Sequence, residues 1–350
     1  MKIKIYARDL QNMLKTAKGL ELRKLDRDVQ KSLLIKGNQL IMNNTHTQLE
    51  SEFDIDVIEP GETLIPEPTL KMLEHFKSDS LIITDDTIIH GTKELKFMPG
   101  PMENFITLDD EISEELFTVK ESELNHLLEV NYSTSDDGTR PILRGIGIKD
   151  NKFAALNMYY LSMRKANFRC SEQIILSQEV WKVLLKTLDE KSDNLVTVYW
   201  NGSDLVKFKF KNFTVKGKLY EGKFLRYEEI YTKVPETEFN IDGDKLYDSL
   251  KLMDKLTRDK QIVLLFIKDD KLKLKTKTDL NIMTDEIPIL SKEGPDVKIA
   301  FNIKHLLRVV NEYKKETPKV QLTSSLNPMI FREENKLDLV LPVRLREDYE

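Results

Sequence analysis

The residues that could do chemistry in this chain are few and scattered. Acidic pairs such as Asp85-Asp86 and Asp269-Asp270 fall at predicted turns, where solvation explains them. No phosphate-binding glycine loop and no nucleophile elbow is present. The histidines stand at none of the spacings typical of metal ligands; they are His46, His75, His90, His126 and His305. The sequence therefore contains no catalytic constellation and predicts neither a cofactor nor a metal.

The single cysteine, Cys170, excludes an intrachain disulfide and a cysteine-based metal cluster. It is predicted to be a structural thiol. The first residues, MKIKIYARDL, lack the long apolar region of a signal peptide. No apolar stretch approaches the roughly 18–20 residues needed to span a bilayer. We therefore expect a cytoplasmic protein without membrane contact.

Composition indicates a globular chain of two or three domains. The 350 residues are 40% hydrophobic and 32% charged, with both signs abundant. The formal net charge of −5 argues against a protein that grips nucleic acid over its whole surface. It does not exclude one that confines its basic residues to one face, because local fields depend on arrangement.

The elements that would position any site come from one short pattern that occurs six times. In each copy, an alternating apolar run is followed by a polar residue and then by a helix with an i, i+3/i+4 apolar stripe. The copies are spaced by 54 to 65 residues and begin near Ile5, Ile65, Val119, Leu176, Ile241 and Phe301. Repetition of one unit is typical of rings, solenoids and scaffolds.

Further strands are predicted after most of these helices. Asn201-Gly202, Lys211-Asn212 and Asp269-Asp270 separate alternating apolar runs, which is a hairpin signal. Pairing the repeats divides the chain into three similar segments, residues 1–113, 114–236 and 237–350. Each segment would have two helices and about eight strands. The predicted class is α+β, with helices packed on antiparallel sheets.

The helix faces opposite the apolar stripes are mostly basic. Five of the six helices carry lysine or arginine there, whereas the third carries His126 and Glu129. Such a set, repeated on equivalent helices of an acidic chain, would suit non-specific contact with a phosphate backbone. Charged residues also commonly solvate exposed helix faces, so simple solvation stays open as the alternative explanation. The basic residues are Arg8, Lys15, Lys71, Lys182, Lys186, Lys251, Lys255, Lys304 and Arg308.

Three local runs, together with the six copies, resemble the bacterial DNA polymerase III β subunit, the sliding clamp. The run TRPILRG at 139–145 is similar to the family's R-P-I-L-x-G strand. The run FTVKGKLYEGKF at 213–224 is similar to its F-x-x-x-x-K-L-x-D-G-x-F segment. The tail VLPVRL at 340–345 resembles its V-x-P-[MV]-R-L ending, and Phe301-Asn302 before an apolar helix also agrees. The resemblance spans the whole chain.

This resemblance implies a DNA clamp fold with three similar domains, forming half of a six-domain ring. Two chains would join head to tail as a homodimer and enclose double-stranded DNA without sequence preference. The expected function is non-catalytic tethering of the replicative polymerase for processive synthesis. The clamp loader and other clamp-motif proteins would be further partners.

The family also has an apolar groove that captures short motifs of partner proteins. The positions that correspond here are Leu143, Leu156, Met158, Tyr159, Tyr160, Leu161, Leu225, Glu229, Ile230, Leu339, Val340, Leu341, Pro342, Val343 and Arg344. For the aliphatic members, a place in the core is an equally good reading.

The groove is where the chain departs from the family. The family's T-D-[GS]-H-R-L is here LNMYYL, residues 156–161, so that tyrosines replace its histidine and arginine. Leu225 stands for a proline, and Glu229 stands at a usually basic position. The resemblance therefore implies a divergent clamp with a more aromatic and less basic groove.

Two weaker correspondences concern DNA and the ring seam. Arg23 falls where the family uses an arginine for DNA contact. Phe105 and Leu108 on one side, with Met253 and Leu256 on the other, are the candidates for the contact between the two copies.

Two other functions compete with the clamp. A diverged homologue could bind or sequester partner proteins through the groove without encircling DNA. An enzyme built on repeated α+β domains is the second alternative, and the missing catalytic constellation argues against it.

Overall fold

The computed structural model describes residues 1–22, 27–76, 79–108, 111–257 and 261–344. The chain divides into two compact units. The first unit comprises Met1–Asn131, Gly138–Asn151 and Ala166–Lys223, and the second comprises Tyr132–Asp137, Lys152–Lys165 and Phe224–Glu350. The division into three segments at 113 and 236 stays a prediction.

Helices α1 to α4 belong to the first unit and α5 to α7 to the second. Their bounds are Ala7–Ala17 (α1), Glu67–Leu73 (α2), Glu121–Leu128 (α3), Gln178–Thr187 (α4), Glu228–Tyr231 (α5), Gly243–Leu256 (α6) and Ile303–Val310 (α7). Short 3₁₀ turns span Lys18–Leu20, Asp28–Lys31, Met102–Asn104, Glu129–Ser133, Pro141–Arg144 and Asn311–Tyr313.

Two antiparallel sheets form the first unit. The five-stranded sheet has the order β5-β1-β7-β8-β9, and the eight-stranded sheet has the order β10-β13-β14-β15-β4-β3-β2-β6. The strands are Lys2–Tyr6 (β1), Leu33–Lys36 (β2), Gln39–Asn43 (β3), Thr47–Glu52 (β4), Asp56–Glu59 (β5), Glu62–Ile65 (β6), Ser80–Thr84 (β7), Thr87–His90 (β8), Lys93–Lys96 (β9), Glu114–Lys120 (β10), Leu195–Trp200 (β13), Leu205–Lys209 (β14) and Phe213–Lys218 (β15).

A ten-stranded sheet has the order β11-β12-β23-β22-β21-β16-β19-β18-β17-β20. Its first two strands contribute residues to both units, and the others belong to the second. The strands are Ile146–Leu156 (β11), Tyr160–Leu176 (β12), Thr237–Ile241 (β16), Ile262–Lys268 (β17), Lys271–Lys277 (β18), Ile282–Glu293 (β19), Val297–Asn302 (β20), Lys319–Leu322 (β21), Met329–Glu333 (β22) and Lys336–Val340 (β23).

All six predicted strand–helix units are confirmed. The strands β1, β6, β10, β12, β16 and β20 lead into α1, α2, α3, α4, α6 and α7. Several helix starts are explained by capping side chains, because Ser177, Asp242 and Asn302 accept hydrogen bonds from first-turn backbone N–H groups. The three predicted hairpin turns also lie between paired strands, β13–β14, β14–β15 and β17–β18. The α+β class with antiparallel sheets is therefore correct.

The helices pack their apolar stripes onto the sheets as predicted. In α1, Leu10, Met13, Leu14 and Ala17 are buried. In the second unit, α6 and α7 bury Leu250 and Leu306 in one cluster with Val263 of β17 and Leu274 of β18. Removal of this apolar surface from water is the main stabilising term for both units.

The middle segment differs from the expectation of about eight strands. The described residues between 114 and 236 form six strands. The number is lower because β11 and β12 are each one long strand, of 11 and 17 residues, and are not divided by turns into shorter strands. The short helix α5 was not part of the six-fold pattern. It follows the last strand of the fourth repeat and carries Glu229 and Ile230 of the predicted groove.

In each unit, a strand late in one repeat pairs with the last strand of another. In the first unit β4 pairs antiparallel with β15, with Leu49 opposite Val215. In the second unit β23 pairs antiparallel with β12, with Leu339 opposite Leu161. The repeats are thus joined through continuous sheets.

Candidate nucleic-acid interface and partner groove

The outward positions of the helices expose the predicted basic residues. Arg8 and Lys15 on α1, Lys71 on α2 and Lys186 on α4 are exposed in the first unit. In the second unit the exposed residues are Lys251 and Lys255 on α6 and Lys304 and Arg308 on α7. Exposed cations on successive helices can contact phosphates without reading base sequence.

Some of these cations are already paired within the chain. Lys182 is only half-exposed, and its ammonium lies 3.1 Å from the Glu21 carboxylate. Lys71 lies 3.0 Å from Glu67, one helical turn away. The positive charge of these two lysines is therefore less available to a phosphate than the sequence predicted. Arg23 lies outside the described residues.

A cleft of about 540 Å³ lies beside α6 and α7. Its lining includes Lys304, Arg308, Tyr132 and Tyr247. The Arg308 guanidinium lies 6.0 Å from the centre of the Tyr132 ring, and the Lys314 ammonium lies 3.4 Å from the centre of the Tyr247 ring. Such cation–π contacts hold long cationic side chains near the aromatic surface.

The predicted groove residues divide into a buried floor and an exposed rim. Leu161 and Leu339 lie opposite each other on β12 and β23 and belong to one small apolar cluster with Met163 and Leu337. Their exposed fractions are 1% and 2%, so they form the floor. The exposed members of the predicted groove form the rim; they are Met158, Tyr159, Leu225, Glu229, Ile230, Leu341 and Arg344.

Other predicted groove residues are less accessible. Val340 is fully buried in the main core of the second unit, because alternate residues of β23 point to opposite sheet faces. Leu143 is also buried, at 5% exposed, and lies in the first unit. Both are core residues rather than contact residues. Leu156, Tyr160, Pro342 and Val343 are half-buried.

Two contacts hold the variant LNMYYL segment in place, and a third holds the adjacent tail. The Tyr159 ring stacks on the His305 imidazole, with centroids 4.1 Å apart. The Leu341 backbone N–H donates to the Tyr159 carbonyl at 2.8 Å, and the Val343 N–H donates to the Ala300 carbonyl at 2.8 Å. Burial lowers the pKa of His305 below its ordinary value, which favours the neutral ring in this stack.

Sequence reasoning missed an aromatic group that covers the floor. Tyr227, 4% exposed, packs in the floor cluster, and Phe224 and Tyr231 pack against it. Their ring centroids lie 6.1 and 6.2 Å from that of Tyr227. The Tyr231 hydroxyl is 3.3 Å from the Lys152 ammonium. The clustering of three aromatic residues in positions 224 to 231 was the signal that could have found them, since Phe224 and Tyr227 precede α5 and follow no helical period.

The predicted seam residues are only partly available for contact. Met253 is fully buried in the core formed by α6 and α7, so it faces away from any second copy. The prediction for Met253 was wrong by one position along the helix, because the neighbouring residue Leu252 is on the outward side and is 55% exposed. Phe105 is 9% exposed and packs with Leu34, Ile41 and Leu64. Leu108 and Leu256 are half-buried.

Chemistry other than binding finds little support in the described part of the chain. No group of three metal-ligating side chains is arranged there to hold an ion. None of the described helices is long and apolar enough to cross a membrane. Cys170 is buried, and burial raises the pKa of its thiol, which fits a structural rather than a reactive cysteine.

The repeated units and the joined antiparallel sheets define the class as a DNA clamp fold. Solved clamps agree over almost the entire chain. The sliding clamp of Bacillus subtilis has a TM-score of 0.90 at 18% identity, and the β subunit of Thermotoga maritima has 0.89 at 19%. Each comparison covers 99% of this chain and 100% of the other.

Sequence comparison finds similarity to the same class of protein. The model described as DNA polymerase III beta subunit, C-terminal domain, matches residues 230–344. The beta sliding clamp of Salmonella typhimurium is 23% identical over 348 residues, which cover 90% of this chain and 93% of that protein. The beta sliding clamp of Staphylococcus aureus is 22% identical over 252 residues. That alignment covers 68% of this chain but spans only 65% of the S. aureus protein. The chain is thus similar to bacterial DNA polymerase III β subunits in its fold throughout and in the sequence of its C-terminal part.

Proposed function

We propose that this protein is a sliding clamp that encircles duplex DNA as a head-to-tail dimer and tethers a replicative polymerase without catalysis. The observation that carries the proposal is the exposed basic residue set on five of the six repeated helices, within a chain of net charge −5. A topological link does not need tight binding, so only the face toward DNA has to be basic. Weak phosphate contacts also permit sliding.

A closed ring needs a seam between two copies, and the strand order supplies a candidate. Each unit joins repeats through strands late in each repeat, β4 with β15 and β12 with β23. Apart from β5, which pairs with β1 in its own sheet, the last strands that remain are β9 and β19. Strand β9 is at the edge of its sheet. Residues 282–288 of β19 pair with β18 on one side and, in the described part of the chain, with no strand on the other.

The seam that we propose pairs β9 of one copy with β19 of the other. Charge supports this choice, because β9 carries Lys93 and Lys96 whereas β19 carries Asp285 and Glu286. Light scattering of the variant with Lys93→Glu and Lys96→Glu is expected to give the monomer mass. The matched variant with Lys191→Glu and Lys211→Glu, two exposed lysines away from both edges, should stay dimeric. A dimer in both variants would contradict this seam.

Retention on circular DNA tests the clamp function. Protein loaded on a nicked circle is expected to stay bound, and to leave once the circle is cut to a linear form. The variant with Lys15→Glu, Lys186→Glu and Arg308→Glu should be retained less well. Equal retention on circular and linear DNA would contradict encirclement. In that case the protein would be a homologue that binds partner proteins without enclosing DNA.

The groove around Tyr159, Leu225 and Ile230 is the proposed site for partner motifs. Its exposed apolar rim is what a short linear motif needs. Because tyrosines replace the family's histidine and arginine, a peptide suited to the usual groove should bind poorly. Calorimetric titration with such a peptide tests this, and ordinary micromolar affinity would count against it.

A further inference from the structure

One sheet face of the second unit is lined with lysines. Strands β17 to β20 turn one face toward α6 and α7 and the other toward solvent. The solvent side carries the lysine face, defined as Lys268, Lys271, Lys273, Lys275, Lys277 and Lys298.

The orientation of this face follows from the strand register. On β18 the residues Leu272 and Leu274 are buried in the core with α6 and α7, so Lys271, Lys273 and Lys275 point to the other side. Lys273 lies opposite Phe266 of β17, which in turn lies opposite Lys298 of β20. The lysines therefore form a line along β18 with an extension across the sheet.

The carboxylates near this face lie mostly in the turns at its two ends rather than on its strands. Glu286 is the acidic residue of β19 on the same face, and it lies 3.6 Å from both Lys271 and Lys273. Asp269, Asp270 and Asp296 lie in the turns at the Lys268 end. Asp279 lies in the turn after Lys277, at the opposite end. Within the strands, six lysines thus share this face with Glu286, in a chain whose 59 acidic residues outnumber its 54 basic ones.

Apolar side chains lie among the lysines. The Lys298 ammonium is 5.7 Å from the centre of the half-buried Phe266 ring. On β19, Ile282 lies opposite Lys277 and is 63% exposed. Alternate residues of a strand are about 7 Å apart, so the β18 lysines can follow an extended anionic chain. Cations beside apolar and aromatic surface suit a strand whose bases are unstacked.

We propose that the lysine face binds single-stranded DNA, independently of duplex in the ring. Duplex DNA would offer phosphates but keep its bases stacked, and would leave Phe266 and Ile282 without a partner. The site is on the opposite sheet face from α6 and α7, which carry the proposed duplex contacts. A single strand could therefore bind here whether or not the ring encloses a duplex.

The test is the fluorescence anisotropy of a labelled oligothymidylate titrated with the full-length protein. In the variant with Lys273→Gln, Lys275→Gln and Lys277→Gln, affinity at low salt should fall at least about tenfold. The slope of log affinity against log salt should become shallower by about 2, since each lost single-strand phosphate contact contributes about 0.7. An unchanged affinity and slope would overturn the proposal.

A matched control lies on β14 and β15 of the first unit. Lys207, Lys209 and Lys218 also alternate along strands, but Glu50 lies near them on the same face and is paired with Lys216. The variant with these three lysines changed to Gln should bind the oligonucleotide as well as the unchanged protein. An equal loss in both variants would overturn the assignment to the lysine face.

Two further measurements separate this inference from its alternatives. If polyglutamate displaces the oligonucleotide at equal charge concentration, the face binds acidic chains in general and the assignment to single-stranded DNA is wrong. The variant with Lys15→Glu, Lys186→Glu and Arg308→Glu should keep its oligonucleotide affinity while losing retention on circular duplex. Failure of the clamp function is thus distinguishable from failure of the single-strand site.

Discussion

Arg164 and Asp338 form an ion pair that is entirely buried between strands β12 and β23. The Arg164 Nη1 atom lies 3.1 Å from both carboxylate oxygens of Asp338, and neither side chain is exposed. Tyr132 and Tyr313 each donate a hydroxyl hydrogen bond to the same carboxylate at 2.7 Å. The pair fixes the two strands at whose ends the groove residue Tyr160 lies opposite the buried Val340.

Asp338→Ala should destabilise the protein by about 3–5 kcal/mol, because it leaves a buried guanidinium and two hydroxyls without their acceptor. Urea denaturation monitored by circular dichroism measures this change. The control is Asp193→Ala, which removes an exposed carboxylate 2.9 Å from Lys120 and should change stability little. Similar losses in the two variants would contradict a special role for the buried pair.

Alkaline pH should unfold the protein through Tyr132 and Tyr313. Burial raises the pKa of both hydroxyls well above the ordinary 10.0. Because the folded-state pKa is the higher one, their contribution to stability is complete below about pH 10 and is lost as the pH rises further. The free energy of unfolding, measured across this range, should depend less steeply on pH in Tyr313→Phe. An equally steep pH dependence in Tyr313→Phe and the unchanged protein would contradict this prediction.

Tyr159→Ala should raise the pKa of His305 toward its ordinary value of 6.5, because the stacked ring contributes to the burial that lowers it. Since the folded-state pKa is the lower one, neutral His305 stabilises the fold above about pH 6.5, and this contribution is lost as pH falls. NMR titration of the imidazole measures the pKa. Ile230→Ala, also in the groove, should not move it; an unmoved value in Tyr159→Ala would show that other groups bury His305.

Gly243→Ala should destabilise the second unit by about 1–3 kcal/mol or more, because there is no room for a methyl group. A Cβ atom at this first residue of α6 would clash with the Tyr313 carbonyl oxygen. Thermal unfolding measures the effect. At Gly138 an added Cβ meets nothing within 4 Å, so Gly138→Ala is the matched control and should be close to neutral.

Local pattern was sufficient for the repeated elements. The alternation before Ala7 and the stripe of Leu10, Met13 and Leu14 predicted β1 and α1, because burial of one face imposes a period of 2 on a strand and 3.6 on a helix. The Asn201-Gly202 turn was predicted for a similar local reason, since Gly202 adopts a φ of +80°. Met253 was misplaced because one position of helical phase separates a core residue from an exposed one.

The sequence by itself determined the six strand–helix units, the basic outer helix positions and the resemblance to clamps, since each depends on residues close together in the chain. Tertiary structure alone decided which residues meet across long separations. It paired Arg164 with Asp338, closed the groove floor with Tyr227, and turned six lysines of β17, β18 and β20 to one solvent face. Those outcomes depend on strand register, because a shift of one residue moves every side chain to the other face of the sheet.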